Sequence, residues 1–302
     1  MTSEPRTDPS TSVPTSSASY GVRSSVGRLE RVAVRRPLLG GADVVASYEA
    51  AHWQTPDLDA LAAQHAAFTE TLRSLGCDVV ELDPVPGLPD AVFVYDPAMV
   101  IPSGTVVLQA AKAARVGEGE RLAADLELAG VPVIGRLVGD ATADAGDMFW
   151  LDSDTLAIGR SYRTNEAAVD QLRGILAADG VGVEVFDVPH DMGPEYCLHL
   201  MSVISPVRED LAVVYEKLAP VAMLRSLARR GIEWIAVDDE EYLTLGCNIL
   251  ATEPGVVVMG ERNRRTADAL RERGVQVHTF DSRESDKGEG GPTCMTRPIR
   301  RA

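Results

Sequence analysis

Cysteine is scarce in this sequence, aromatic residues make up only 5 % of it, and basic charge is outweighed by acidic. The four cysteines, Cys77, Cys197, Cys247 and Cys294, include no Cys-x-x-Cys pair, which argues against a disulfide framework and a zinc ribbon. No metal motif accompanies them, so neither metal nor cofactor is expected. No apolar run approaches the ~20 residues of a membrane span. With 29 Lys and Arg against 45 Asp and Glu, the formal net charge is −16. Nucleic acid and anionic membranes are therefore poor partners, whereas a cationic small molecule is compatible with the balance. The Ser/Thr/Pro-rich opening lacks the apolar segment of a secretory signal. Residues 1–27 read as a disordered tail and 28–302 as a single folded domain, with a cytoplasmic location expected.

What is present is a repeat. Arg28–Pro37 alternates apolar and charged residues and stops at a proline, the pattern of a strand. Leu58–Leu75 has helical spacing and is closed by Gly76, and Asp78–Leu82 is a second strand. An order then recurs: a hairpin, a helix ending near glycine, and a strand. The predicted hairpins are Ala91–Ile101 with Thr105–Leu108, Met148–Leu151 with Thr155–Gly159, His199–Ser205 with Leu211–Tyr215, and Cys247–Ala251 with Gly255–Gly260. Predicted helices follow at Gly117–Ala129, Glu166–Ala178, Pro220–Arg230 and Thr266–Arg273, each leading to another strand. The segment around Cys294 starts a fifth unit whose remaining parts lie at the N-terminus.

About five strand-strand-helix-strand units of roughly fifty residues, the last completed by the first, predict a closed ring. An ordinary α/β sheet alternates similar elements but does not require a hairpin in every unit. The expected fold is a five-bladed pseudosymmetric α/β propeller of ββαβ units around a central site.

Residues at nearly equivalent positions of successive units are Asp90 to Asp96, Asp144 to Asp147, His199, Cys247-Asn248 and Cys294. In a ring these converge on the axis. Cys294 follows Gly290-Gly291-Pro292-Thr293, where glycines let the backbone approach a ligand closely. The stretch lacks the lysine and helix context of a phosphate loop. A thiol, an imidazole and carboxylates together point to nucleophilic catalysis by cysteine. The carboxylates would raise the thiol pKa and make sense beside a substrate that brings positive charge. A guanidinium fits, because it is planar, pairs with carboxylates and presents a carbon for attack. Each residue also has a plainer reading. His199 could be a core histidine, Asp144 and Asp147 turn residues, Asp96 an edge feature before Pro97, and Arg115 and Arg163 surface charges. His52, His65, His190 and His278 read as structural or surface residues, and Cys77 and Cys197 as packing.

The strings Asp90-x-x-Phe93-x-x-Asp96, Asp144-x-Gly146-Asp147, Arg163-Thr164-Asn165, His199-Leu200-x-Ser202 and Gly290-Gly291-Pro292-Thr293-Cys294-Met295-Thr296 resemble those of the dimethylarginine dimethylaminohydrolases. These belong to a guanidino-group-modifying superfamily with the arginine deiminases and amidinotransferases. The resemblance runs from about Arg28 onward, keeps motif order, and implies the same five-bladed propeller.

It also implies roles. Cys294 would be the nucleophile, forming an alkylthiouronium intermediate. His199 would be the general acid and then the base. Asp144 would orient His199 or hold the guanidinium, and Asp96 would hold the guanidinium. Arg115 and Arg163 would receive the substrate carboxylate. Asp90 and Phe93 would line the substrate pocket, with Asp147 beside them. The implied activity is hydrolysis of a guanidinium C–N bond, dimethylarginine giving citrulline and dimethylamine. An arginine deiminase or an amidinotransferase is the alternative, and a binding-only ring is a third class. Tyr95 and Ala145 depart from the resembling pattern, which has glutamate and glycine there. Dimethylarginine, arginine and other guanidino compounds all stay open. The expected partner is a small guanidino substrate, and a homodimer is the candidate assembly.

Overall fold

The computed structural model describes residues 19–302 apart from Ala42 and Glu195. Its fifteen strands form five three-stranded sheets. The chain opens with β1 (Leu29–Arg35), α1 (Val44–Ala50), α2 (Leu58–Ser74) and β2 (Asp78–Leu82). The second unit is β3 (Ala98–Ile101), β4 (Gly104–Val107), α3 (Glu118–Leu128) and β5 (Val133–Arg136). The third is β6 (Met148–Asp152), β7 (Thr155–Arg160), α4 (Glu166–Ala177) and β8 (Gly182–Asp187). The fourth is β9 (Ile204–Arg208), β10 (Leu211–Val214), α5 (Val221–Arg229) and β11 (Glu233–Ala236). After α6 (Asp239–Tyr242) come β12 (Leu250–Glu253), β13 (Val256–Gly260), α7 (Arg264–Glu272) and β14 (Gln276–Phe280), then α8 (Arg283–Asp286) and β15 (Arg297–Arg301).

In every sheet the first two strands are antiparallel and the third, reached through a helix, is parallel to the second. The sheet β15-β1-β2 obeys the same rule across the two ends of the chain, with Ala33 opposite Arg297 and Val32 opposite Val79. This is the closed five-unit α/β propeller that the repeat predicts. The central strands β4 and β10 are buried throughout, which is why they read as unbroken apolar runs. The third strands are more open at the rim: in β11 and β14 two half-buried residues lie between exposed ones. Local signals fix the helices. Asp57 caps α2 by accepting from the amides of Asp59 and Ala60, and Asn165 caps α4 by accepting from Ala168.

The structure corrects two expectations. The predicted opening strands at Ala91 and His199 are short 3₁₀ turns, Pro89–Val92 and Leu200–Ser202, and Ala145–Asp147 is a third; strands begin only after them. Proline at the head of the first turn supplies a fixed φ and no amide for a ladder. The expected tail also ends too late. Gly21 exchanges hydrogen bonds with Ile299 and Arg301, and Val22 and Val26 are buried, so the segment before β1 packs along β15. Residues 1–18 of that tail lie outside the described residues. No described helix is long and apolar enough to cross a membrane.

Candidate active site

Each unit delivers its functional side chain from the turn that precedes its first strand. Cys294 sits in the turn before β15. The amide of Thr293 donates to Asn248 Oδ1 (3.0 Å), and Asn248 Nδ2 in turn donates to Cys294 Sγ (3.1 Å). One amide side chain thus fixes both the loop and the thiol. Gly290 lies flat against the ring of Phe93, where a Cβ would overlap the ring. Burial, reinforced by the charge of Asp96, pushes the thiol up to about 11, against the opposing pull of the Asn248 hydrogen bond. A resting thiol is therefore neutral at physiological pH.

His199, at the head of its 3₁₀ turn, places Nε2 3.2 Å from Asp144 Oδ2 and Nδ1 4.0 Å from Asp96 Oδ1. Gly146 admits this packing, because a Cβ there would overlap the imidazole. Burial disfavours the imidazolium, but the Cys197 sulfur and the Asp96 and Asp144 carboxylates outweigh it and hold His199 well above its ordinary range. The Cys197 sulfur lies 3.7 Å from His199 Nδ1. Asp96 is itself held low: burial would raise it, but Arg115, His199 and the Gly146 amide prevail. The site thus favours a proton on its imidazole and charge on Asp96, the arrangement of an acid ready to protonate a leaving group.

One cavity of ≈ 80 Å³ is lined by Cys294, His199, Asp144, Asp96, Asp90, Phe93, Arg115 and Arg163, together with Trp53, Lys112 and Glu289. A second, of ≈ 180 Å³, shares Cys294, His199, Cys197 and Glu289 and is otherwise mixed, with Met201, Leu243, Leu245 and Tyr242 facing it beside Gln54, Ser202, Asn248 and Asp286. Trp53 roofs the first cavity, stacked on Phe93 at 5.3 Å and donating Nε1 to Asp90 Oδ1 (2.6 Å). Lys112 ties the same carboxylate to the carbonyl of Ala51. Among the described residues no group of three or more His, Cys, Asp and Glu is arranged to hold a metal ion.

The two arginines behave differently. Arg115, expected to meet a substrate carboxylate, is already spent: Nη1 donates to Asp96 Oδ2 (2.5 Å), Nε to Glu118 Oε2 (2.9 Å) and Nη2 to the carbonyl of Phe93 (3.1 Å). Its place is behind Asp96, fixing that carboxylate. Arg163 is 8 % exposed, makes no ion pair among the described residues, and has an Nε without a hydrogen-bond partner. Asp147 does not line the cavity. Fully buried, it accepts from Ser161, Thr164 and the amide of Leu200, and so locks the turn of Asp144 to that of His199. Sequence reasoning missed Asn248 as a support of the thiol, Cys197 beside the imidazole, and Trp53 in the roof. Only Asn248 had a signal, its register beside Cys247.

The ring and its axial thiol, imidazole and carboxylates define a guanidino-group-modifying propeller enzyme. The arginine deiminase family model matches residues 83–233 and 223–301, and the chain belongs to that family. It is thereby a member of the guanidino-group hydrolase superfamily, which includes the dimethylarginine dimethylaminohydrolases. It is 27 % identical over 290 residues to the uncharacterized protein YkgA of Bacillus subtilis, covering 95 % of this chain and 98 % of that one. It is 26 % identical to the N(G),N(G)-dimethylarginine dimethylaminohydrolase of Pseudomonas aeruginosa, over 81 % of this chain and 91 % of that protein. Against the arginine deiminase of Mycobacterium avium identity is 30 %, over 73 % of this chain and only 61 % of that enzyme's length. Among solved structures, the Pseudomonas aeruginosa enzyme, a cysteine-to-serine mutant complexed with citrulline, superimposes with a TM-score of 0.76 at 23 % identity. That match covers 90 % of this chain and all of the other.

Proposed function

We propose that this protein hydrolyses the guanidinium C–N bond of an N-methylated arginine, dimethylarginine first, to citrulline and the free amine. The observation that carries this reading is the sharing of one cavity by Cys294, His199, Asp144 and Asp96 with one guanidinium, Arg163, that makes no ion pair among the described residues and whose Nε lacks a hydrogen-bond partner there. Asp96 and Asp144 receive the flat cation, and Arg163 receives the carboxylate at its far end. A bound cation offsets the carboxylate field that holds the Cys294 proton, so that proton passes to solvent and the thiolate forms next to the carbon it attacks. The Sγ–C bond forms, and the C–N bond breaks as His199 gives its proton to the departing amine. Water then adds to the thiouronium carbon while His199 takes its proton. The S–C bond breaks to return the thiol and release the ureido product.

Two features support a leaving group larger than ammonia. The second cavity adjoins the same sulfur and imidazole, and its walls include apolar side chains suited to N-methyl groups. The Pseudomonas aeruginosa relative also matches this chain over nearly its whole length. The second reading, release of ammonia from arginine, is favoured by the family match itself. The test is ureido formation from dimethylarginine and from arginine without any acceptor amine. Dimethylarginine is expected to be the better substrate, and Cys294→Ser to lose more than about 10³-fold of turnover while keeping its fold. Preference for arginine would replace the first reading with the second, and an unaffected Cys294→Ser variant would end both.

A further inference from the structure

Below the catalytic cavity the axis of the ring encloses a separate space of ≈ 40 Å³, lined by Tyr95, Met148, Thr293, Arg297 and Arg301 among others. Arg297 is 4 % exposed. Its Nη1 donates to the carbonyls of Tyr95 (3.0 Å) and Ala98 (2.5 Å), and its Nε is buried without a partner. Arg301 donates to the carbonyls of Gly27 (2.5 Å) and Ala251 (2.7 Å). Neither guanidinium reaches a carboxylate among the described residues. Of the other buried arginines, Arg35 meets Asp125 and Arg115 meets Asp96 and Glu118. Arg163 alone shares the lack of an ion pair among the described residues, and it faces the catalytic cavity.

Backbone carbonyls satisfy hydrogen bonds but do not cancel charge, and buried charges are as a rule paired. Tyr95 is not the missing anion, although Arg297 lies 4.2 Å over its ring. Its hydroxyl donates to the carbonyl of Met148, and burial holds the phenol above its ordinary pKa. The two cations also act on each other. Burial, with Arg297 as a second cationic contribution, lowers Arg301 to about 10.

We propose that this axial cavity is a binding site for a small monovalent inorganic anion of halide size, held between Arg297 and Arg301. The space admits only a few water-sized occupants, which limits the ion to a small one. Thr293 and Tyr95 adjoin Cys294 and Asp96 in sequence, and the Tyr95 amide donates to the Cys294 carbonyl (3.0 Å). Filling the cavity therefore firms the base of the active-site turns. The inference stands on the buried Arg297 and the half-buried Arg301, neither with a carboxylate among the described residues, and is independent of which guanidino compound is the substrate.

The experiment is crystallography of the wild-type protein in sodium bromide, read by anomalous scattering. Alongside it, melting temperature is measured against sodium chloride, bromide, gluconate and sulfate at matched ionic strength. One bromide between Arg297 and Arg301 is expected, with a saturable stabilisation by chloride and bromide that gluconate and sulfate do not give. Arg301→Gln, which keeps hydrogen-bond donors but removes a charge, is expected to lose that halide-specific increment. A water in the cavity, or equal stabilisation by all four salts, overturns the proposal. A bromide peak without saturable stabilisation means an adventitious ion only, and overturns it as well.

Discussion

The second and third units carry the same three charged residues at the same spacings, Asp96, Arg115 and Glu118 in one and Asp144, Arg163 and Glu166 in the other. Their outcomes are opposite. In the second unit the arginine closes on both acids and is buried between them. In the third, each acid has been drawn away. Asp144 turns to His199, while Glu166 points outward at 53 % side-chain exposure and pairs with Arg160. Arg163 is left facing the cavity with no ion pair among the described residues and an unpartnered Nε, with Glu289 across the same cavity acting on it only through space. The same three residues are thus a closed ion-pair scaffold in one unit and are parted in the other, where an imidazole and a second arginine hold the two acids.

The largest expected effect comes from the spent arginine. Arg115→Met leaves Asp96 and Glu118 buried without their cation, at a cost of about 3–5 kcal/mol, read as a lower denaturation midpoint at unchanged slope. Activity should fall with it, because Asp96 loses its main tether. Arg163→Gln should behave in the opposite way. With no ion pair to lose, its stability should stay within about 1 kcal/mol of the parent. KM for an arginine-derived substrate should rise about 10- to 100-fold with kcat nearly unchanged, the signature of lost uniform binding worth about 1.5–3 kcal/mol. Equal destabilisation by the two substitutions would erase the distinction between the units.

Cysteine alkylation sharpens the same contrast with probes that lack a carboxylate. With the Cys294 thiol at about 11, only about one molecule in ten thousand is thiolate at pH 7. The ionised form grows as pH rises toward that value, so labelling by neutral iodoacetamide should climb about tenfold per pH unit up to about pH 11. Chloroacetamidine brings its own cation and should label Cys294 readily at pH 7, ahead of the more buried Cys77 and Cys247. Its rate should be unchanged in Arg163→Gln, which has no role toward a probe without a carboxylate, and slowed in Arg115→Met. Slowing in both would assign Arg163 to the guanidinium end.

How much of this was legible follows from what each signal depends on. Hairpins, helices and the closing of the ring were readable because they rest on periodicity and on glycine stops such as Gly76, where φ is +85°. The 3₁₀ turns were misread as strands because Ala91, Val92, Phe93 and Val94 are all buried, so the turn is as apolar as a strand. Convergence of Cys294, His199, Asp144 and Asp96 could be inferred from register. The fate of Arg115 could not, because it depends on which rotamer meets which acid. Trp53 carried no signal: it follows the turn that ends α1, and its meaning lies in the stacking on Phe93 and the bond to Asp90.

The smallest expected effect tests the cause of the difference. If Arg160 is what keeps Glu166 from Arg163, then Arg160→Gln leaves that carboxylate with only the longer 4.0 Å pairing to Arg173. Glu166 lies three residues from Arg163, the spacing at which Glu118 meets Arg115. Glu166 is half-solvated, so it should compete only weakly with a substrate carboxylate. KM should rise about two- to fivefold, with kcat and chloroacetamidine labelling unchanged. Adding Glu166→Gln to the same chain should return KM to the parent value, whereas Glu166→Gln alone should leave it where it was. A double variant as impaired as Arg160→Gln would place the effect in the lost pairing of Arg160 with Asp187 across β7 and β8, not in a contest for Arg163.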